Sequence, residues 1–165
     1  MKYPLFKVHV PVQESLEKIK YVFESGFINE GKEVSEFNKL LRKFLSVNNL
    51  LLTNSCTSSL TLAYKLCGVK ENTEVITSAM TCIATNTPII NLGGKIVWAD
   101  INHKTGSINP YEVEKKITSL TKAISFVNWG GTPCELDKLM AISKKYNIPL
   151  IQDAAHSFGA TFDGR

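Results

Sequence analysis

Two rhythms divide the chain. Through residue 48, apolar positions recur at helical spacing. Leu16, Ile19, Val22 and Phe23 do so between Glu14 and Gly26, and Val34, Phe37, Leu40, Leu41 and Phe44 do so between Glu33 and Leu45. Each set predicts a helix with one apolar stripe. Gly26 is a stop signal, and "GFINEG" between the helices is a loop. From residue 49 onward, short apolar runs alternate with helical ones. The runs "LLLT" (50–53), "EVIT" (74–77), "KIVWA" (95–99), "KAISFV" (122–127) and "IPLIQ" (148–152) predict strands. Helices are expected near 57–67, 81–91, 110–118 and 135–146. In "INPYEVEKKI", Asn109 can cap, Pro110 suits the first turn and Glu112 can reach back to the cap. The expected organisation is an N-terminal helical segment, 1–48, and an α/β domain, 49–165. Strands this uniformly apolar, each followed by a helix, predict a parallel sheet with helices on both faces and right-handed crossovers.

Composition narrows the class. Hydrophobic residues make up 44% and charged residues 21%, ordinary values for a globular domain. The net charge of +4 is dispersed, with no block of like charges, so neither a nucleic-acid nor a membrane surface is indicated. The cysteines, Cys56, Cys67, Cys82 and Cys134, form no Cys-x-x-Cys pair and lack a His at zinc spacing. Reduced thiols in a cytoplasmic protein, and no metal site, are expected. "MKYPLFKVHVPVQE" lacks a secretory apolar core. The longest apolar candidate for a membrane span is broken by Asn91, Gly93, Gly94 and Lys95.

In parallel α/β sheets, ligands gather where strands end at their carboxyl termini. Two such stretches carry chemistry. "NSCTSS", Asn54 to Ser59, separates an apolar run from a helix. Unpaired N–H groups and the helix dipole favour an anion there, and small hydroxyl residues let it come close. An ordinary N-cap would account for one of those hydroxyls. "IPLIQDAAHSFGA" puts Asp153 at the end of a buried strand and His156 three residues on. A carboxylate at such a place requires a cation or several donors; a cap for the following turn is the simpler alternative, as is a turn histidine for His156. Taken together, the stretches fit one ligand with a phosphate at one end and a basic ring nitrogen at the other. Pyridoxal 5'-phosphate has that form, and Asp153 would keep its ring nitrogen protonated. No Gly-x-Gly-x-x-Gly or Walker-type loop follows any run, which disfavours a plain nucleotide-binding domain.

Several motifs in order carry a wider resemblance: "GKEVSEFNKLLRKFL", "TNSCTSSLTLA", "MTCIATNTPIINLGGKIVWADI", "INPYEVEKKITSLTKAI" and "NWGGTPCELDKLMAISKKYNIPLIQDAAHSFGATFDG". From about Val10 to Arg165 the chain resembles the N-terminal half of the DegT/StrS sugar aminotransferases, which are fold type I pyridoxal-phosphate enzymes. The resemblance implies an incomplete large domain of that fold. It implies that Thr57 and Ser58 hold the cofactor phosphate, with Cys56 where relatives have a small residue. It implies that Asp153 pairs with the ring nitrogen and that His156 and Asn128 lie near the ring's phenolic oxygen. Cys82 falls where many relatives stack an aromatic ring on the cofactor; a thiol offers less area. The family's Schiff-base lysine is expected beyond Asp153, and Lys122, Lys144 and Lys145 do not match it. A piece of a longer enzyme is therefore expected, with "GATFDGR" as a strand entering a turn. The complete protein would be a homodimer passing an amino group from an amino-acid donor to a nucleotide-linked keto-deoxy sugar. The alternatives are a dehydratase on the same scaffold and a non-catalytic partner module.

Overall fold

The structure is a computed structural model that describes residues 7–164. It divides into two compact units, one up to Leu51 and one from Leu52.

The first unit holds α1 (Val12–Ser25) and α2 (Lys32–Leu45). Gly26 ends α1 in the left-handed region, φ 67°, where a side chain would be strained. Lys18 on α1 pairs with Glu33 on α2 at 2.8 Å, an exposed ion pair of small energetic weight. Arg42 secures the exit from α2, donating to Asn38 Oδ1 at 2.7 Å and to the carbonyl of Asn48 at 2.6 Å. Neither helix buries a residue; Leu16, Phe23, Phe37 and Leu40 of the predicted stripes are each more than half exposed.

The second unit is a four-stranded, all-parallel sheet. Its strands are β1 (Glu74–Thr77), β2 (Lys95–Trp98), β3 (Thr121–Val127) and β4 (Leu150–Asp153), in the order β2-β1-β3-β4. The connecting helices are α3 (Cys56–Leu66), α4 (Ile83–Asn91), α5 (Pro110–Lys115) and α6 (Leu136–Tyr146). Strand alternation sends successive side chains to opposite faces. Val75, Ala123 and Ile151 pack with Leu60 and Tyr64 of α3 and Ile89 of α4. Ile76, Ile124 and Phe126 pack with Val113 of α5 and Leu139 and Ile142 of α6. Two apolar layers cover one sheet, so the middles of these strands are mostly apolar, and their polar residues, Ser125 apart, lie at or next to the strand ends. The α/β class, the parallel sheet and helices on both faces are as the sequence predicts.

Three details differ. "LLLT" is not a strand: with no partner strand along it among the described residues, it has no ladder to join, and Leu51 is exposed. "GATFDG" turns instead of extending, with positive φ at Gly159, Asp163 and Gly164; Arg165 lies outside the described residues, as do the first residues of the N-terminal stretch. Asn109 caps α5 by accepting from Tyr111 N–H at 3.0 Å, but Glu112 does not complete a capping box. The Asn109 N–H is already given to the carbonyl of Asp100, and Glu112 accepts from Lys115.

Gly94 enters β2 from the turn after α4. A methyl group there would meet Val69 Cγ1 at 2.6 Å and the Ile89 carbonyl at 3.1 Å. Val69 and Ile89 are fully packed, so neither can yield. Gly94→Ala is expected to lower stability by about 1–3 kcal/mol, read from the midpoint of urea unfolding. An unchanged midpoint would mean that this corner is looser than its packing indicates.

Candidate cofactor site

Every strand of a parallel sheet ends on the same rim, and the rim formed by Thr77, Val127 and Asp153 carries the polar residues. Asp153 closes β4 with 6% of its surface exposed. Burial of a carboxylate is costly unless donors surround it. Thr85 Oγ1 donates to Oδ2 at 2.7 Å, and the Ala155 N–H donates to Oδ1 at 3.1 Å. The second bond is the turn cap that the sequence left as the simpler alternative. It occupies Oδ1 only in part, and Cys56 Sγ lies 3.8 Å from that oxygen.

Cys56 is the first residue of α3, so the hydroxyl-rich helix start and the acidic strand end meet at one place. Ser55 is the cap, accepting from Ser58 N–H at 3.2 Å. The remaining hydroxyls are mostly committed within the turn. Ser58 donates to Asn54 Oδ1 at 2.7 Å, and Thr53 and Ser59 share a 2.6 Å bond. Ser58 and Ser59 N–H groups are taken by Ser55. The N–H groups of Cys56 and Thr57 lie in the first turn, where no helical carbonyl can reach them. The Thr57 hydroxyl makes no hydrogen bond among those of the described residues, its carbonyl alone being used, by Thr61. One residue of the cluster therefore serves as the cap and another is available to a ligand.

Cys82, exposed, precedes α4 and makes no capping bond through its side chain. Its carbonyl accepts the Thr85 N–H at 3.0 Å, which ties it to the residue that holds Asp153. Burial pushes the Cys56 thiol up; the Asp153 charge adds to this, and Cys82 adds a smaller push in the same direction. Cys56, Cys82 and Asp153 thus belong to one cluster.

Asn128 and His156 form a second cluster on the rim. Val127 pairs with Asp153 in register, so Asn128 follows the residue opposite the carboxylate. Its amide is engaged at both ends: Nδ2 donates to Ser157 Oγ at 3.1 Å and Oδ1 accepts from Cys134 N–H at 3.2 Å. His156 lies in a turn, and its Nδ1 accepts from the Gly130 N–H at 3.0 Å. That bond places the proton of the neutral ring on Nε2. Its ring tilts against Trp129 at 5.3 Å between centroids.

Sequence reasoning missed the buried layer beneath Asp153. Tyr64 Oη donates to the carbonyl of Thr85 at 3.1 Å and bonds Ser125 Oγ at 2.7 Å; both side chains are fully buried. Thr85 also bonds Thr81 at 2.7 Å. A signal was present: Ser125 is a hydroxyl within the apolar run "KAISFV", and a polar residue on a buried strand requires a partner.

The class that these elements define is a parallel α/β fold whose rim joins a buried carboxylate to a hydroxyl-rich helix start. The DegT/DnrJ/EryC1/StrS aminotransferase family matches the sequence over residues 11–165, and the chain belongs to that family. Among curated proteins it is 34% identical over 153 residues to the spore coat polysaccharide biosynthesis protein SpsC of Bacillus subtilis. That alignment covers 93% of this chain and 39% of SpsC. Among solved structures it resembles the PLP form of sugar aminotransferase Spr1654 from Streptococcus pneumoniae, described there as putative, with a TM-score of 0.90 and 26% identity. The match covers 99% of this chain and 45% of that one. GDP-4-keto-6-deoxy-D-mannose-3-dehydratase of E. coli, with bound hydrated PLP, gives a TM-score of 0.88 at 25% identity, covering 99% and 43%. The chain spans about 40% of the length of the curated relatives it matches. Among the described residues no helix is long and apolar enough to cross a membrane.

The Tyr64 phenol is pushed up to about 12, chiefly by burial; the Ser125 hydrogen bond opposes this and the Asp153 charge assists it. A free phenol titrates near 10. Between about pH 10 and 12 the unfolded chain gives up this proton and the folded chain keeps it, so stability is intact below that window and falls across it. Wild type is expected to lose about 2–3 kcal/mol more than Tyr64→Phe over that range, measured by urea unfolding at each pH. Equal losses would show that Tyr64 is not held in its protonated form.

Proposed function

We propose that this chain forms the cofactor-holding part of a pyridoxal-phosphate-dependent aminotransferase acting on a nucleotide-linked keto-deoxy sugar with an amino-acid donor. The observation that carries the proposal is the 3.8 Å approach of Cys56 Sγ to Asp153 Oδ1, which joins an anion-favouring helix start to a buried carboxylate. The donor set fits the group on chemical grounds. The N–H groups of Cys56 and Thr57 and the Thr57 hydroxyl suit a phosphate. The Asp153 carboxylate, turned toward the same place, suits a protonated ring nitrogen. The relatives that are themselves PLP-bound support the same choice.

When bound, pyridoxal phosphate supplies an electron sink for a substrate carbanion. The chain's own residues bind and orient. Thr57 and the first turn of α3 anchor the phosphate; Ser58 joins them by exchanging its bond to Asn54. Asp153 holds a proton at the ring nitrogen. Asn128 and His156 lie on the adjoining strand ends, where the spare Asn128 N–H and the His156 Nε2–H can donate to a ring oxygen. Cys82 provides a small apolar contact at the mouth. The covalent lysine is not assigned to this chain: Lys122 lies near the start of β3, and Lys144 and Lys145 lie in the last turn of α6 before β4, all toward the rim opposite Asp153. Homodimer assembly of the complete protein and a cytoplasmic location belong to the same proposal, as does the division into a helical segment over 1–48 and a cofactor-binding domain over 49–165.

The E. coli dehydratase neighbour supports a second reading, in which the same cofactor site serves removal of a hydroxyl from a keto-deoxy sugar. Transfer of a labelled amino group to the sugar separates the two.

Titration of the chain with pyridoxal phosphate, followed by quenching of tryptophan fluorescence, is expected to show saturable binding. Thr57→Ala should weaken it about three- to tenfold, the scale of one hydrogen bond to a charged group, and Asp153→Asn should weaken it about tenfold or more. A folded wild-type chain that binds none would remove the proposed function; unchanged affinity in Thr57→Ala would leave that residue no role in the phosphate site.

A further inference from the structure

Asp153 is fixed from beneath by a residue whose polar atoms are all hydrogen-bonded. Thr85 is 1% exposed. Its N–H donates to the Cys82 carbonyl, its carbonyl accepts from Tyr64 Oη, and its hydroxyl donates to Asp153 Oδ2. The proton directions follow from the acceptors. A carboxylate oxygen only accepts, so the single Thr85 hydroxyl proton is spent on Asp153, and the 2.7 Å bond to Thr81 must run from Thr81 to Thr85. Likewise the Tyr64 proton is spent on the Thr85 carbonyl, so Ser125 donates to Tyr64. Two one-way donor chains therefore meet at Thr85. One, Thr81 to Thr85 to Asp153, ends on the carboxylate. The other, Ser125 to Tyr64, holds the Thr85 backbone. The Thr85 bond on Oδ2, the shorter of the carboxylate's two oxygen or nitrogen contacts, and the Ala155 N–H on Oδ1 together set its orientation, with Oδ1 the oxygen beside Cys56.

Resting on the function proposed above for Asp153, we propose that Thr85 is a positioning residue that locks the Asp153 carboxylate with Oδ1 presented to the ligand's ring nitrogen. Its β-branched side chain suits the task, since a β-branched residue in a helix has few χ1 choices. Serine would keep the donor; valine would keep the shape and remove it, leaving Oδ2 buried without its bond.

The full chain carries a reporter that needs no cofactor. Cys56 is exposed, and the charge on Asp153 is one of the causes that raise its thiol. The pH profile of Cys56 alkylation by iodoacetamide, resolved by peptide mass spectrometry, therefore reads where the carboxylate sits. In Thr85→Val the profile is expected to shift to lower pH, because the carboxylate keeps only the longer Ala155 bond and turns its charge away from the sulfur toward solvent, while Thr85→Ser stays with wild type. In the presence of ring-15N pyridoxal phosphate, the nitrogen resonance in Thr85→Val should move toward that of an unprotonated pyridine, with affinity down about tenfold. A folded Thr85→Val with a wild-type Cys56 profile overturns the proposal, as does Thr85→Ser behaving like valine. If Thr85→Val does not fold, Thr81→Val takes its place; a smaller shift in the same direction supports the chain of donors, and no shift overturns it. A shifted Cys56 profile in a chain that binds no pyridoxal phosphate supports the positioning role and overturns the function proposed for the site.

Discussion

A single buried carboxylate organises the rim on which the parallel strands end. Asp153 lies at the end of a strand between two layers, where an ionised oxygen without partners would be expensive. The surroundings answer it with an O–H from α4, an N–H from the following turn and a thiol from α3. Two helices distant in sequence from β4 are thereby drawn to one point. The same constraint explains why polar side chains appear beneath an otherwise apolar face: Tyr64 and Ser125 are fully buried, yet every hydroxyl there is bonded.

The sheet supplies the rest of the geometry without special residues. Parallel strands end together, so the residues after β1, β3 and β4 share a rim whatever their identity. The register of Val127 with Asp153 starts the two following turns, which carry Asn128 and His156, from neighbouring points on the rim. Their cluster has its own closure: the Gly130 N–H is donated to His156, the Asn128 amide spans Ser157 and Cys134, and a methyl group on Gly131 would lie 3.2 Å from the His156 carbonyl. The turns after β3 and β4 thus hold each other, and the rim is organised before any ligand arrives. Preorganised donors of this kind lose little on binding, as the cofactor role proposed above requires.

Much of this was legible in the chain, for identifiable reasons. Apolar runs of β-branched residues separated by helical periods are the signature of a two-faced parallel sheet, and β1 through β4 fall where those runs lie. Asp153 was legible because a charge directly after an apolar run must sit at a strand end. "LLLT" was misjudged because periodicity detects burial preference and not a partner, and a strand exists only where another backbone answers it. The helix start of α3 was legible as a cluster but not in its division of labour. Which hydroxyl caps and which remains available depends on side-chain directions that spacing does not encode: Ser55 caps, Ser58 turns back to Asn54 and Thr57 is left over.

Thr85 was illegible for a deeper reason. In "TCIATNTPII" it resembles any helical threonine, and its commonest alternative, a bond back to the preceding turn, is what Thr61 and Thr87 do. Thr85 departs from them because α4 begins at the rim, so its first inward-facing hydroxyl meets a carboxylate before it meets a carbonyl. The same composition yields a helix-surface threonine at one position and the anchor of a buried charge at another. The difference lies in the junction of α4 with β4, a relation across 68 residues that only the packed sheet creates.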